Sequence, residues 1–451
     1  MPYPTHHTVA FSFVPPQLSD ISAADTAWVL VSAALVLLMT PALAFFYGGM
    51  VRSKNALNTM MMSFCSLGVV GCTWAFAGYS FAFSEGNTWI GGLDHLFLQG
   101  VGFEPREGQT IPHLLFCMFQ GTFAIITAAI ISGALVERMR FSAYLIFIAL
   151  WTLFVSAPIC HWVWGPGGWL GAMGALDYAG GTVVHVNAGA AAVVGALLIG
   201  SRKDYGRQAL LPHNVPYILL GTGLLWFGWF GFNAGSALAA DTSASLAFAN
   251  TLLAPCAAMV TWLLLDHIRI AKMTAVGAAT GTVVGLVAIT PAAAFVSPMD
   301  AIAIGLIATF PSYFAIQYRS RTRLDDSLDV AAAHGFGGLT GAILVGVFAR
   351  ESWGGTAGLL EGNGAQVVTQ SVAVFAALGF SALASLVLYK LVNLAVPLRV
   401  ELDEEGRGLD VPLHGEQAIS SGEGAVLLTR TKRTPTESAL LQAGDTAGKS
   451  A

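Results

Sequence analysis

The chain has 451 residues, of which 55% are hydrophobic and only 10% are charged, and its formal net charge is −5. Soluble domains carry roughly 25% charged residues, so this chain cannot clothe a globule in polar surface, and its apolar excess must face lipid. The weak negative charge gives no field for nucleic acid. The five cysteines (Cys65, Cys72, Cys117, Cys160 and Cys256) are odd in number and form no CxxC pair, which excludes a disulfide framework or a thiolate metal motif.

Residues 1–26 come first. Their first twenty positions hold no Lys or Arg, and Pro15-Pro16 interrupts the apolar stretch before them, so they lack the basic and apolar regions of a secretory signal. They are read as an extracellular leader. Eleven apolar runs then follow, near 27–50, 60–83, 112–136, 142–163, 181–200, 215–239, 245–266, 274–296, 299–317, 331–349 and 367–396. Each is about the 20 residues that cross a bilayer. Backbone groups in lipid must be satisfied within the segment, so each run is expected to be a helix.

The connecting charges alternate. Arg52, Lys54, Arg138, Arg140, Arg202, Lys203, Arg207, Arg269, Lys272, Arg319, Arg321 and Arg323 fall in one set of loops, whereas the other set holds only Arg106 and Arg350. The positive-inside rule places the first set in the cytoplasm. The N-terminus is then outside and the tail, 397–451, inside. No soluble domain of ordinary size fits. The last twenty residues, rich in Thr, Ser, Ala and Gly, have the composition of a disordered segment.

Aromatic clusters mark the extracellular ends of three spans. Phe119-Gln120-Gly121-Thr122-Phe123 opens the third, His161-Trp162-Val163-Trp164 ends the fourth, and Trp226 to Ser236 ends the sixth. An interfacial aromatic belt is one reading. Glycines interleaved with the rings favour a shaped cavity, where aromatic faces and a serine hydroxyl capture a small cation.

Spans five and ten each carry one histidine in their first turns, His185 and His334, followed by a Gly/Ala-rich stretch and preceded by a nearby acid, Asp177 or Asp329. If spans one to five match spans six to ten, the repeat has an odd number of crossings and its second copy is inverted. That is a known transporter plan, with the substrate path between the halves. The expected fold is therefore an all-α integral membrane protein of eleven transmembrane helices, with an inverted five-plus-five repeat, an eleventh helix, and an N-out/C-in orientation. Ionisable groups within spans usually face a cavity, and two neutral imidazoles can hold a chain of small polar molecules or relay a proton. A metal site lacks further ligands at helix spacing, and a hydrogen-bonded packing role stands beside the pore reading. Asp177 is either a helix cap or an acid that keeps a vestibule negative. No nucleophile–base set suggests an enzyme, and no cofactor is expected.

Together these segments resemble the ammonium transporter family (Amt/Mep/Rh), in particular its bacterial Amt branch. The matching stretches are Ala44 to Arg52, Phe119 to Phe123, Gly133 to Arg138, Ala175 to His185, Trp229 to Ser236, and Asp329-Val330 with His334; they run in order over about residues 26–415. The resemblance implies an external ammonium recruitment site at Trp164, Phe119 and Ser236 with Asp177 beneath it, a gate at Phe123 and Phe232, and twin pore histidines at His185 and His334. It also implies a homotrimer in the bacterial inner membrane with one pore per subunit. The segment Gly408-Leu409-Asp410-Val411-Pro412-Leu413-His414-Gly415 resembles the family's cytoplasmic motif, within a regulatory stretch 400–418. There the resemblance implies packing on a neighbouring subunit and a surface for a PII-type nitrogen-regulatory protein. Two other readings remain, an ammonium sensor signalling through its tail and an electroneutral ammonia gas channel.

Overall fold

The structure, a computed structural model, describes residues 20–419. Residues 1–19 of the expected leader and 420–451 of the expected tail lie outside the described residues. Among the described residues eleven helices are long and apolar enough to cross a membrane. They are α1 (Ala23–Met50), α2 (Ser53–Phe83), α3 (His113–Ala134), α4 (Phe141–Ala172), α5 (Gly181–Ile199), α6 (Val215–Ala237), α7 (Thr242–Ile270), α8 (Ala275–Ala292), α9 (Pro298–Arg319), α10 (Ala331–Phe348) and α11 (Ala365–Ala395). All eleven coincide with the apolar runs of the sequence. The shortest has 18 residues and the longest 32, roughly 27 to 48 Å at the helical rise. The longer ones must tilt or project beyond a hydrocarbon core of about 30 Å.

The halves pack through equivalent members. The most extensive helix pairing is α1 along α6, where the backbones approach because a Cβ at Gly231 would lie 2.6 Å from Leu35 Cβ. The middle of α5 touches the first turns of α10, where a Cβ on Gly189 would stand 2.5 Å from Gly335 Cα. Successive spans alternate in direction, so α5 and α10 run oppositely. Pairing of first with first and fifth with fifth is what an inverted repeat about a central twofold axis requires.

One end of the bundle is knitted by buried charge. Glu137 accepts from Arg52 (3.0 Å), Arg202 (2.6 Å) and Asn55 (2.9 Å), and Arg202 also meets Asp325 at 2.8 Å. Three connecting segments therefore meet at the carboxylate of Glu137, a residue at a left-handed φ of 69°, and Arg202 ties in a fourth through Asp325. Burial pushes the Glu137 carboxyl up, but Arg202 and Arg52 outweigh it and hold the pKa below the ordinary glutamate value. Asp325 follows the same balance with Arg202 and Arg138. A depressed folded-state pKa adds stability above the unfolded value and loses it as pH falls. This end should hold at neutral pH and loosen only below about pH 4. Glu137→Gln leaves Arg202 and Arg52 short of a buried counter-charge and is expected to cost about 3–5 kcal/mol, read as a lowered thermal unfolding temperature in detergent; an unshifted midpoint would show the cluster to be dispensable.

Candidate functional site

Four stretches of the spans are wound as π-helix, and two of them, Gly181–Val186 and Ala331–Phe336, open α5 and α10 and carry the histidines. Such widened turns often occur at functional sites. The acid ahead of α5 explains its start. The Asp177 carboxylate accepts from the backbone N–H groups of Gly180 (2.9 Å), Gly181 (2.6 Å), Thr182 (2.8 Å) and Val183 (3.0 Å). All four donors that a helix start leaves unpartnered are satisfied by one side chain. These four bonds realise the cap reading of Asp177. Its backbone carbonyl accepts from Trp164 Nε1 at 2.8 Å.

The equivalent acid before α10 is Asp326, not Asp329. Asp326 accepts from Ala331 N at 2.7 Å, and each of Asp177 and Asp326 stands eight residues ahead of its histidine (177 to 185, 326 to 334). Asp329 has a different task. It sits at a left-handed φ of 59°, pairs with Arg319 and lines an open vestibule with Asp266, Tyr313 and His334. Sequence spacing held the signal for Asp326.

Starting from the aromatic end, Phe119 meets Phe123 edge-on at 4.9 Å, and Trp164 meets Phe123 edge-on at 6.3 Å. Ser236 donates to the Phe232 carbonyl at 2.9 Å. Phe123 and Phe232 lie 4.3 Å apart at 34°, both buried. Beyond them the His185 ring lies 6.1 Å from Phe232 and 5.5 Å from Trp229, nearly parallel to each. Trp229 was visible only as part of a glycine–aromatic run, and its place under His185 needed the fold.

The His185 and His334 Nδ1 atoms stand 3.2 Å apart. The close approach of Gly189, just past the first π turn, to Gly335 in the second accompanies this contact. A single hydrogen must lie between those nitrogens, so one ring donates and the other accepts. In a neutral pair the donor ring then keeps a bare Nε2 and the acceptor ring an Nε2–H. The pair thus offers the lumen both a donor and an acceptor. His185 Nε2 has no hydrogen-bond partner among the described residues. Side chains such as Leu43, Ile126, Ile130, Leu225 and Val283 line the remaining wall from Phe232 to His334. This lumen admits about one water-sized molecule at a time.

The clustered aromatic rings, the Phe123–Phe232 pair and the paired imidazoles thus follow one another beside a narrow, mainly apolar cavity. The sequence family description that matches residues 27–419 is the Ammonium Transporter Family. The chain belongs to the ammonium transporter family. It is 48% identical over 398 residues to an ammonium transporter of Bacillus subtilis, covering 87% of this chain and 98% of that one. It is 45% identical over 401 residues to the ammonium transporter Amt1 of Archaeoglobus fulgidus, covering 89% and 100%. Among solved structures it resembles Mep2 of Saccharomyces cerevisiae, with a TM-score of 0.81, 35% identity and coverage of 85% and 89%. It also resembles a sensor Amt protein, with a TM-score of 0.80, 31% identity and coverage of 86% and 98%. This ammonium-transporter-family chain is a multi-pass membrane protein.

Its tail motif is folded onto the charged end. Two short helices, α12 (Leu402–Arg407) and α13 (Asp410–His414), follow α11. Asp410 accepts from Leu57 N (3.1 Å) and Asn58 N (2.8 Å), capping the helix that begins at Ala56. His414 Nε2 reaches Asn58 Oδ1 at 2.9 Å. Gly408 and Gly415 take left-handed φ of 101° and 72° at the ends of the two helices. These contacts fall on the start of the chain's own second span. Asp410→Ala is expected to cost about 1 kcal/mol of cap stability and to quicken proteolysis after Arg399 and Arg407; an unchanged cleavage rate would show the tail held without its cap.

Proposed function

We propose that this chain moves ammonium across the bacterial inner membrane by stripping it of its proton and conducting ammonia. Ammonium is recruited at Trp164, Phe119 and Ser236, passes Phe123 and Phe232 as the rings turn, and crosses the bore as ammonia hydrogen-bonded to His185 and His334. The observation that carries this reading is the pair of imidazoles 3.2 Å apart in a bore otherwise lined by apolar side chains. A cation there would pay a desolvation cost of several kcal/mol or more without a counter-charge. Ammonium escapes that cost by losing a proton, and potassium cannot. Selectivity then rests on chemistry and not on diameter. The Arg and Lys bias of the loops supports an N-terminus outside and a cytoplasmic tail. The family resemblance supports a homotrimer with one pore per subunit, and the docked Gly408–Gly415 segment is the surface proposed for a PII-type protein.

The test is an ammonium pulse on proteoliposomes of the purified chain, with a potassium pulse as control. Current with ammonium alone is expected. Equal currents with both ions would overturn the proposal. Absence of current with a rise in internal pH would assign electroneutral ammonia passage, and absence of both would assign a sensor with a closed pore.

A further inference from the structure

Behind the histidines lies a cavity that the conduction path does not use. It occupies about 200 Å³ between α5, α10 and α11. Its inner wall is formed by Val186, Gly189 and Gly335. Val186 follows His185 in the same π turn, and Gly335 follows His334 in the other. Its outer wall is formed by Val193, Leu339, Leu378 and Ala382. Every lining residue is Gly, Ala, Val, Leu or Phe, so no side chain there bears a nitrogen or oxygen. All of them lie within spans, and the mouth opens beside lipid-facing side chains. Phe336, one of the lining residues, is 48% exposed.

The cavity has a structural origin. Small residues normally let membrane helices close on one another. Gly189 and Gly335 do so between α5 and α10. Ala190, Ala331 and Ala382 face the gap that α11 leaves, and none is long enough to fill it. Water has no polar partner inside, and apolar cavities of about 150 Å³ stay dry and take up apolar guests. An unfilled void forfeits dispersion contacts along its whole lining. The apolar guest present at this depth in overwhelming amount is the lipid tail.

We infer that this cavity is a binding site for one acyl chain of a bilayer phospholipid, which fills the wall behind the two histidine-bearing turns. The chain enters between α10 and α11 past Phe336. The headgroup stays at the interface, since nothing polar in the cavity would receive it. The site concerns lipid and not conduction, so it stands or falls apart from the proposed transport mechanism.

The test uses the full chain in phosphatidylcholine vesicles doped with phosphatidylcholine carrying a diazirine in mid-chain, followed by photolysis and peptide mapping. Labelling is expected to concentrate at Val193, Leu339 and Leu378, above the level at Leu391 on the open lipid face. Ala382→Trp, which fills the cavity from α11, should bring those positions down to the Leu391 level and leave Leu391 unchanged. Ala190→Leu fills it from α5 and serves if the tryptophan variant does not purify as a single species. Pocket labelling no stronger than that of Leu391, persistence of strong labelling in the filled variants, or cross-links from the pocket to a second copy of the chain would each overturn the inference.

Discussion

In proteoliposomes the double variant His185→Ala/His334→Ala is expected to lose its ammonium-evoked current by roughly ten- to a hundredfold. Each neutral hydrogen bond to the passing molecule is worth about 0.5–1.5 kcal/mol, and two are removed where no other polar side chain replaces them. The rings are also the bulk of the constriction. Their loss joins the lumen below Phe232 to the vestibule of Asp329 and Asp266, which share His334 as a wall. A wider, wetter bore should discriminate less against potassium, so the potassium control should rise relative to ammonium. Single variants distinguish the partners. His185→Ala also removes the face stacked on Trp229 and Phe232 and should do more harm than His334→Ala. Wild-type current and selectivity in the double variant would refute the pore assignment.

The second large effect is structural. Asp177→Ala removes the acceptor of four backbone N–H groups at once, at a residue that is only 7% exposed. Each buried donor left unpaired costs about 1–3 kcal/mol, so a loss of at least about 3 kcal/mol is expected even if water reaches some of them. Asp177→Asn should be nearly as harmful. Its amide oxygen can serve one side of the fan, but its NH2 would confront the donors on the other. The measurement is thermal unfolding in detergent together with the yield of monodisperse protein. Variants that stay folded with a wild-type midpoint would show that the carboxylate is not the keystone of α5 and would reopen a direct role in the vestibule.

Much of the fold was legible because lipid removes the usual ambiguity. An apolar run of span length has one backbone solution, so eleven runs became eleven helices. Of the proposed site, what can be compared is neighbourhood: Trp164 and Phe119 both meet Phe123, Phe123 meets Phe232, Phe232 meets His185, and His185 meets His334, contacts that follow from how the spans carrying them pack and that no spacing along the sequence specifies. The acids were harder. Asp325, Asp326 and Asp329 stand within five residues of one another, and proximity alone favoured Asp329. Only the backbone shows that Asp326 reaches the N–H of Ala331 while Asp329 turns into a left-handed conformation towards Arg319. The tail contacts were equally hidden, because a cap on Leu57 and Asn58 from Asp410 spans more than 350 residues of sequence.

The backbone contact of Gly189 with Gly335 has a consequence for how fast the protein can work. Gly335 follows His334 in one turn, so a shift of one half against the other at this contact would also part the two imidazole nitrogens, which stand 3.2 Å apart. In a pore of the kind proposed above, throughput is then expected to depend scarcely on bilayer stiffness, in the manner of a fixed orifice and not of a pump stroke.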